Sequence, residues 1–137
     1  MPIPKPMVFV VSQSEAVVEM VKAGLRTSEV VHATDSDAYL KAVVKTLQSE
    51  EACVIVDLAT VSDAERLIAF TRSSSSIGRL PIIVIGSDER MDALPQELQS
   101  SINGFVSAPC TAGELAAVVA SICEQDPAPG RGISPAG

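Results

Sequence analysis

The sequence contains few cysteines and few cationic residues, and each shortage excludes a class of protein. Its three cysteines, Cys53, Cys110 and Cys123, lack CxxC spacing, so neither a disulfide framework nor a cysteine metal site is indicated. Ten Lys and Arg residues stand against seventeen Asp and Glu residues, for a net charge of -7. Because nucleic-acid affinity depends on cations that neutralise phosphates, we expect no nucleic-acid partner.

Signals for membranes, secretion and common enzyme classes are missing as well. No stretch approaches the ~20 apolar residues that cross a bilayer, and residues 1–6 hold three prolines instead of the apolar core of a signal peptide. Neither a glycine-rich phosphate loop nor a GxSxG nucleophile elbow occurs. We therefore expect a cytoplasmic protein that has no membrane contact and is not an enzyme.

The chain is rich in small aliphatic residues, several of them in short uninterrupted runs. Apolar residues make up 47% of its 137 residues, whereas aromatic residues make up only 3%. Residues 53–56 and 82–85 are entirely apolar, which is typical of parallel strands covered on both faces. A chain of this length has room for one domain with a single core.

Segments typical of strands and of amphipathic helices alternate along the chain. Right-handed crossovers between them favour an α/β fold, in which a single doubly wound sheet of five parallel strands has helices on both faces. Residues 87–93 are polar and predict a connection before a short fourth helix capped by Asp92. The predicted strands are residues 7–11, 29–33, 53–57, 81–86 and, with a preceding turn, 102–107.

The two ends of the chain lack this pattern. Residues 1–6 are rich in proline, and residues 126–137 combine proline, glycine and serine without any periodicity. Such composition cannot bury enough apolar surface to fold. We expect the domain to span residues 7–125, with a disordered N-terminus at residues 1–6 and a disordered tail or linker at residues 126–137.

Three blocks of the sequence resemble the receiver domain of bacterial response regulators. Residues 54–57 match a third strand that ends in an aspartate, and residues 81–87 match a fourth strand followed by a serine. Residues 104–109, with the sequence Gly-Phe-Val-Ser-Ala-Pro, match the fifth strand and the loop before the last helix. The resemblance covers about residues 7–125 and implies a flavodoxin-like fold with strand order 2-1-3-4-5.

The resemblance also implies a phosphorylation site, and this sequence departs from it. In receivers an acidic pair after the first strand binds Mg²⁺, and a lysine after the fifth strand pairs with the phosphoryl group. Ser12 and Gln13 stand at the acidic pair and Ala108 at the lysine, while the acceptor Asp57 and the phosphate-contacting Ser87 remain. Since Mg²⁺ needs charged oxygen ligands, we expect no metal, no cofactor and a vestigial phosphoacceptor.

Three interpretations of Asp57 remain open. As a structural residue, it caps a loop or forms a hydrogen bond with Ser12 or Ser87. Alternatively, it is still phosphorylated, with Mg²⁺ held by Asp88 or Glu15 as substitute ligands. The third is a small-ligand-binding regulatory domain, whose pocket lies between Ser12, Asp57 and Ser87.

Three further residues are informative, two because of the resemblance and one because it is the single histidine. Phe105 is at the position of an aromatic switch residue, and its lack of a hydroxyl favours a buried ring. The bond before Pro109 corresponds to one that receivers keep cis. His32, the single histidine, has no neighbouring ligand residue, so we expect it on the surface.

Our leading interpretation is a pseudo-receiver, a signalling module that binds proteins independently of phosphorylation. The resemblance implies a surface made by the fourth helix, the fifth strand and the last helix, which receivers use for partners or homodimers. We expect an exposed stripe of Ala and Val on the last helix to contribute to it. The predicted contact residues are Glu97, Gln99, Ser100, Ser107, Ala112, Ala116, Val119 and Cys123.

Overall fold

The computed structural model describes residues 7–25, 29–46, 52–73, 80–108 and 110–123. The disordered ends predicted at residues 1–6 and 126–137 lie outside these ranges and stay predictions. Across the described ranges, no helix combines the length and hydropathy needed to cross a membrane. Cys53 and Cys110 form no disulfide within the same ranges.

Strands and helices alternate as the sequence pattern predicts, except that two short helices follow β4. The strands are β1 (Met7–Val11), β2 (Glu29–Ala33), β3 (Ala52–Asp57), β4 (Ile82–Gly86) and β5 (Gly104–Ser107). The helices are α1 (Glu15–Gly24), α2 (Ser36–Thr46), α3 (Ala64–Ser73), α4 (Asp88–Asp92), α5 (Gln96–Gln99) and α6 (Ala112–Cys123).

The five strands form one parallel sheet in the order β2-β1-β3-β4-β5, which confirms the predicted fold. All six residues of β3 are buried because this strand is central and has helices on both faces. Its side chains alternate between two cores: Val54 and Val56 pack on the α2 and α3 face, while Cys53 and Ile55 pack on the α1 and α6 face.

The connection after β4 contains a helix that the sequence analysis missed. Residues 87–93 were predicted to be a polar connection, but Ser87 accepts a hydrogen bond from the Arg90 amide at 3.2 Å and begins α4. Asp92 therefore ends α4 and is not the cap of the next helix, which follows Pro95 without any side-chain cap. Helix α4 has no buried residue, so apolar periodicity could not reveal it.

Gly24, the last residue of α1, lies against the first turn of α6. A Cβ atom at this position would be 2.6 Å from the carbonyl oxygen of Ala112, which is closer than such atoms can approach. The obstacle is backbone, so a side-chain rotation cannot relieve it. The close packing of α1 on α6 therefore requires glycine here.

We predict that Gly24→Ala destabilises the fold by about 1–3 kcal/mol, because the added methyl group separates α1 from α6. Helix propensity alone predicts the opposite sign, a gain of about 1 kcal/mol. Gly113→Ala is the matched control, since its Cβ would meet only Thr111 Oγ1 at 3.9 Å. Urea unfolding measures the free energy of unfolding of both variants. A Gly24→Ala protein more stable than the unmodified chain would contradict the prediction.

Tyr39 on α2 joins that helix to the sheet and to α3. Its ring packs edge-on against Phe9, with ring centroids 6.1 Å apart, and its hydroxyl lies 3.0 Å from Thr71 Oγ1. Thr71 Oγ1 donates to the Leu67 carbonyl at 2.9 Å, so the tyrosine hydroxyl donates to Thr71. Burial raises the pKa of Tyr39 above its ordinary value, and the Thr71 bond only partly offsets this.

Tyr39 makes the stability of the fold sensitive to alkaline pH. As pH rises above about 10, the unfolded chain loses the tyrosine proton first, so folding stability falls until the folded protein ionises too. Because the chain has one Tyr and no Trp, tyrosinate absorbance reports Tyr39 alone. We expect its titration midpoint to be higher in native protein than in urea, and Tyr39→Phe to lose less stability at high pH.

Equal midpoints in the folded and unfolded protein would contradict this prediction. The Tyr39→Phe variant keeps the ring contact with Phe9, so any difference in its pH dependence is due to the hydroxyl group. At neutral pH we expect this variant to be less stable by about 1 kcal/mol, through loss of the hydrogen bond to Thr71.

Candidate functional site

Asp57 is the last residue of β3, and its carboxylate lies at the carboxyl edge of the sheet. The residue is only 3% exposed, and Ser12, which follows β1, is fully buried beside it. The backbone places both residues: Ser12 donates its amide hydrogen to the Ala33 carbonyl at 3.0 Å, and β1 pairs directly with β3. The carboxylate therefore depends on protein groups for its hydrogen bonds.

Three donors surround the Asp57 carboxylate and occupy both of its oxygens. The Ser12 hydroxyl donates to Oδ2 at 2.8 Å, and the Thr60 hydroxyl donates to the same oxygen at 3.0 Å. The Ala59 amide donates to Oδ1 at 3.1 Å. The hydrogen bond predicted between Asp57 and Ser12 is present, and Asp57 also caps its own loop.

The two hydroxyl donors are held in orientation by backbone amides. Ser14 donates its amide hydrogen to Ser12 Oγ at 2.9 Å, and Gln13 donates its amide hydrogen to Thr60 Oγ1 at 2.9 Å. Each hydroxyl has one proton, so accepting from an amide leaves that proton for Asp57. The network fastens the loop after β1 to the loop after β3.

Two of these contacts were not predicted. Thr60 stands three residues after Asp57, a spacing at which Asp and Thr commonly bond within one turn, and this spacing was the available signal. His32 is exposed as predicted, yet its Nε2 donates to the Ser12 carbonyl at 2.8 Å. No local pattern marks that contact, because it depends on how β2 pairs with β1.

The side chains of Ser87 and Asp88 form their hydrogen bonds with groups other than Asp57. The Ser87 hydroxyl caps α4 as described above, and Asp88 Oδ1 accepts a hydrogen bond from Ser107 Oγ at 2.8 Å. Ala108, at the position of the receiver lysine, is exposed and carries no charge. The predicted pocket residues Ser12 and Asp57 are thus brought together, whereas the Ser87 side chain bonds elsewhere.

The residues at this edge do not fit a divalent cation. Asp57 is the one carboxylate in the network, and the hydroxyl of Ser12 donates its proton to Asp57 at 2.8 Å. Gln13 is exposed and participates through its backbone amide. Among the described residues no three His, Cys, Asp or Glu side chains converge in a way that could hold a metal ion. Mg²⁺ in proteins is usually held by one or two carboxylates in octahedral geometry, and the one carboxylate here already accepts three hydrogen bonds.

Phe105 on β5 is half-buried and packs against the core on the α2 and α3 face. The ring is therefore only partly buried, whereas its lack of a hydroxyl predicted full burial. Pro109 lies outside the described residues, so the predicted cis bond stays a prediction.

The predicted interaction surface on α5 and β5 is largely exposed. Glu97, Ser100 and Ser107 are exposed, and Ser107 is engaged with Asp88. Gln99 is half-buried because its amide nitrogen donates to the Leu94 carbonyl at 2.8 Å, an interaction that holds α5 to the preceding turn.

The prediction for α6 is wrong at one residue. Val119 is only 5% exposed and packs with Leu115 in the core under α1 and α6, so it cannot contact a partner. The helix turns that apolar side toward the sheet, which leaves Ala112 and Ala116 half-buried at its margins. The side chain of Cys123 lies outside the described part of the structure.

We predict that Asp57→Ala lowers the free energy of unfolding by about 1–3 kcal/mol, because the Ser12 hydroxyl and the Ala59 amide lose their buried acceptor. Asp92→Ala, which removes an exposed carboxylate, should change stability by less than about 0.5 kcal/mol. Urea unfolding at neutral pH distinguishes the two. An Asp57→Ala protein as stable as the unmodified chain would contradict a structural role for the carboxylate.

Comparison with solved structures gives the same fold. A candidate response regulator from Chloroflexus aurantiacus has a TM-score of 0.74 at 21% identity, covering 88% of this chain and 99% of that one. A response regulator receiver domain protein from Clostridium thermocellum has a TM-score of 0.73 at 14% identity, covering 88% and 95%. The receiver domain of NtrX from Brucella abortus has a TM-score of 0.70 at 19% identity, covering 87% and 99%.

Sequence comparison adds nothing to this likeness. No protein-family model matches the chain, and no curated protein matches it at a significant level. The likeness is thus one of backbone architecture, and it leaves the chemistry of the carboxyl edge to be judged from this chain's own residues. Together the strand order, the position of Asp57 and the solved structures show that this chain has the fold of a response-regulator receiver domain.

Proposed function

We propose that this chain is a pseudo-receiver, a signalling module that binds protein partners without phosphorylation of Asp57. Its fold is that of receiver domains, which act in two-component signalling by contacting other proteins. The single observation that carries the proposal is the state of the Asp57 carboxylate. Both oxygens accept hydrogen bonds from within the chain, and the residue is 3% exposed.

Phosphoryl transfer to a carboxylate requires an accessible oxygen that can attack phosphorus in line. Attack through Oδ2 would break a hydrogen bond from Ser12 or Thr60, and a buried donor left unpaired costs about 1–3 kcal/mol. Oδ1 accepts only the Ala59 amide, and attack through it is opposed by the burial of the residue. The transition state also gathers negative charge that a metal or a cation normally stabilises. Ser12, Gln13 and Ala108 supply neither at the corresponding positions.

The proposed activity is binding and not catalysis. Among the described residues, the single histidine already donates to the Ser12 carbonyl, and the network hydroxyls already donate to Asp57. This arrangement leaves no activated nucleophile and base pair at the carboxyl edge. Exposed residues of the predicted surface, including Glu97, Ser100 and Ser107, are available for protein contact. A cytoplasmic location is part of the same proposal.

The proposal predicts that acetyl phosphate with Mg²⁺ leaves no phosphate on Asp57, as measured by intact-protein mass spectrometry. A variant carrying Ser12→Asp, Gln13→Asp and Ala108→Lys restores the acidic pair and the cation, and we expect it to gain one phosphate. That phosphate should be lost when Asp57→Asn is added to the variant. A stable phosphate on Asp57 of the unmodified chain would overturn the proposal.

A further inference from the structure

A groove of about 610 Å³ runs between α3 and α5, on the opposite side of the sheet from α1 and α6. Its apolar lining comes from Ala69 on α3 and from Pro95 and Leu98 at α5. Phe70, four residues after the groove residue Arg66 and thus one turn further along α3, is 44% exposed. The groove therefore offers apolar side chains with an exposed aromatic ring nearby.

Carboxylates dominate the rim of this groove. Asp63, Glu65 and Glu97 line it, together with the single cation Arg66. Glu65 and Glu97 are exposed and form no ion pair with any described residue, and Asp63 is bound to the Ser36 hydroxyl at 2.8 Å. The three carboxylates outnumber the one cation, so this rim is net negative in a chain whose net charge is -7.

The two walls of the groove are held in place by Arg72, at the end of α3. Its guanidinium donates to the Ser101 carbonyl, just after α5, at 2.9 and 2.6 Å. It also donates to the Leu80 carbonyl before β4 at 2.7 Å and to Asn103 Oδ1 at 2.6 Å. Because α3 and α5 are tied at one end, the groove exists before a partner arrives, which reduces the ordering cost of binding.

We propose that the groove between α3 and α5 binds a cationic amphipathic helix of a partner protein. A groove lined by both apolar and acidic side chains complements a helix with apolar residues on one face and Lys or Arg beside them. A second copy of this chain fits poorly, since it would bring carboxylates to carboxylates. The inference rests on the proposed function, because it names the surface and the charge class of the protein partner.

The experiment uses a synthetic amphipathic helix of leucine and lysine as the probe, and a leucine and glutamate helix of the same pattern as its control. Amide resonances of the isotope-labelled 137-residue chain are followed by NMR during titration. We expect the lysine probe to shift resonances of α3 and α5, and the glutamate probe to leave them unchanged.

Charge reversal locates the site. Glu65→Lys with Glu97→Lys should weaken probe binding at least tenfold, a change of about 1.4 kcal/mol. Glu19→Lys with Glu29→Lys makes the same change in net charge on exposed residues of α1 and β2, and should alter affinity by less than about threefold. The resonances of each variant also report that it is folded.

If the two double variants weakened probe binding equally, the inference would be overturned, since the probe would then be attracted by the net charge of the chain alone. Self-association of the unmodified chain that disappears with Glu65→Lys and Glu97→Lys would overturn it in favour of a second copy. Failure of the proposed function can be distinguished from failure of this inference. Phosphorylation of Asp57 contradicts that function without changing probe affinity, whereas loss of groove specificity contradicts only the present inference.

Discussion

The arrangement of the carboxyl edge depends on one constraint, the removal of the Asp57 carboxylate from water. A buried charge is tolerated only when protein groups replace its hydration. The hydroxyls of Ser12 and Thr60 both donate hydrogen bonds to Oδ2, and the Ala59 amide donates one to Oδ1. These donors come from two different loops, so satisfying one carboxylate also sets how those loops meet. The same bonds that hold the edge together make the carboxylate a poor acceptor for anything else.

The sequence was sufficient to predict the architecture and the position of Asp57. Uninterrupted apolar runs such as residues 82–85 are typical of strands covered on both faces, and β3 and β4 are such strands. The carboxyl ends of parallel strands meet at one edge, so Ser12 and Asp57 were expected to be neighbours. Their hydrogen bond at 2.8 Å follows from the register of β1 on β3, which pairs Val11 with Val56 and so brings the next residue of each strand to the same edge.

Features that depend on side-chain direction could not be predicted in this way. Helix α4 has no buried face, so no periodicity marks it, and its start depends on the Ser87 hydroxyl turning toward Arg90. Val119 was assigned to the surface by analogy with receivers, and the analogy does not show which side of the last helix faces the sheet. Arg72 is far in sequence from Ser101, and only the packed structure brings its guanidinium to that carbonyl.

The occupied oxygens of Asp57 also bear on how long a signal lasts. An acyl phosphate on a carboxylate hydrolyses, so the lifetime of that bond limits how long a phosphorylated switch stays active. In the proposed function there is no covalent modification and hence no such limit. The duration of a signal would instead be the residence time of the partner, and affinity differences between related complexes arise mostly in dissociation rates. The timing of such a signal is therefore a property of the binding surface.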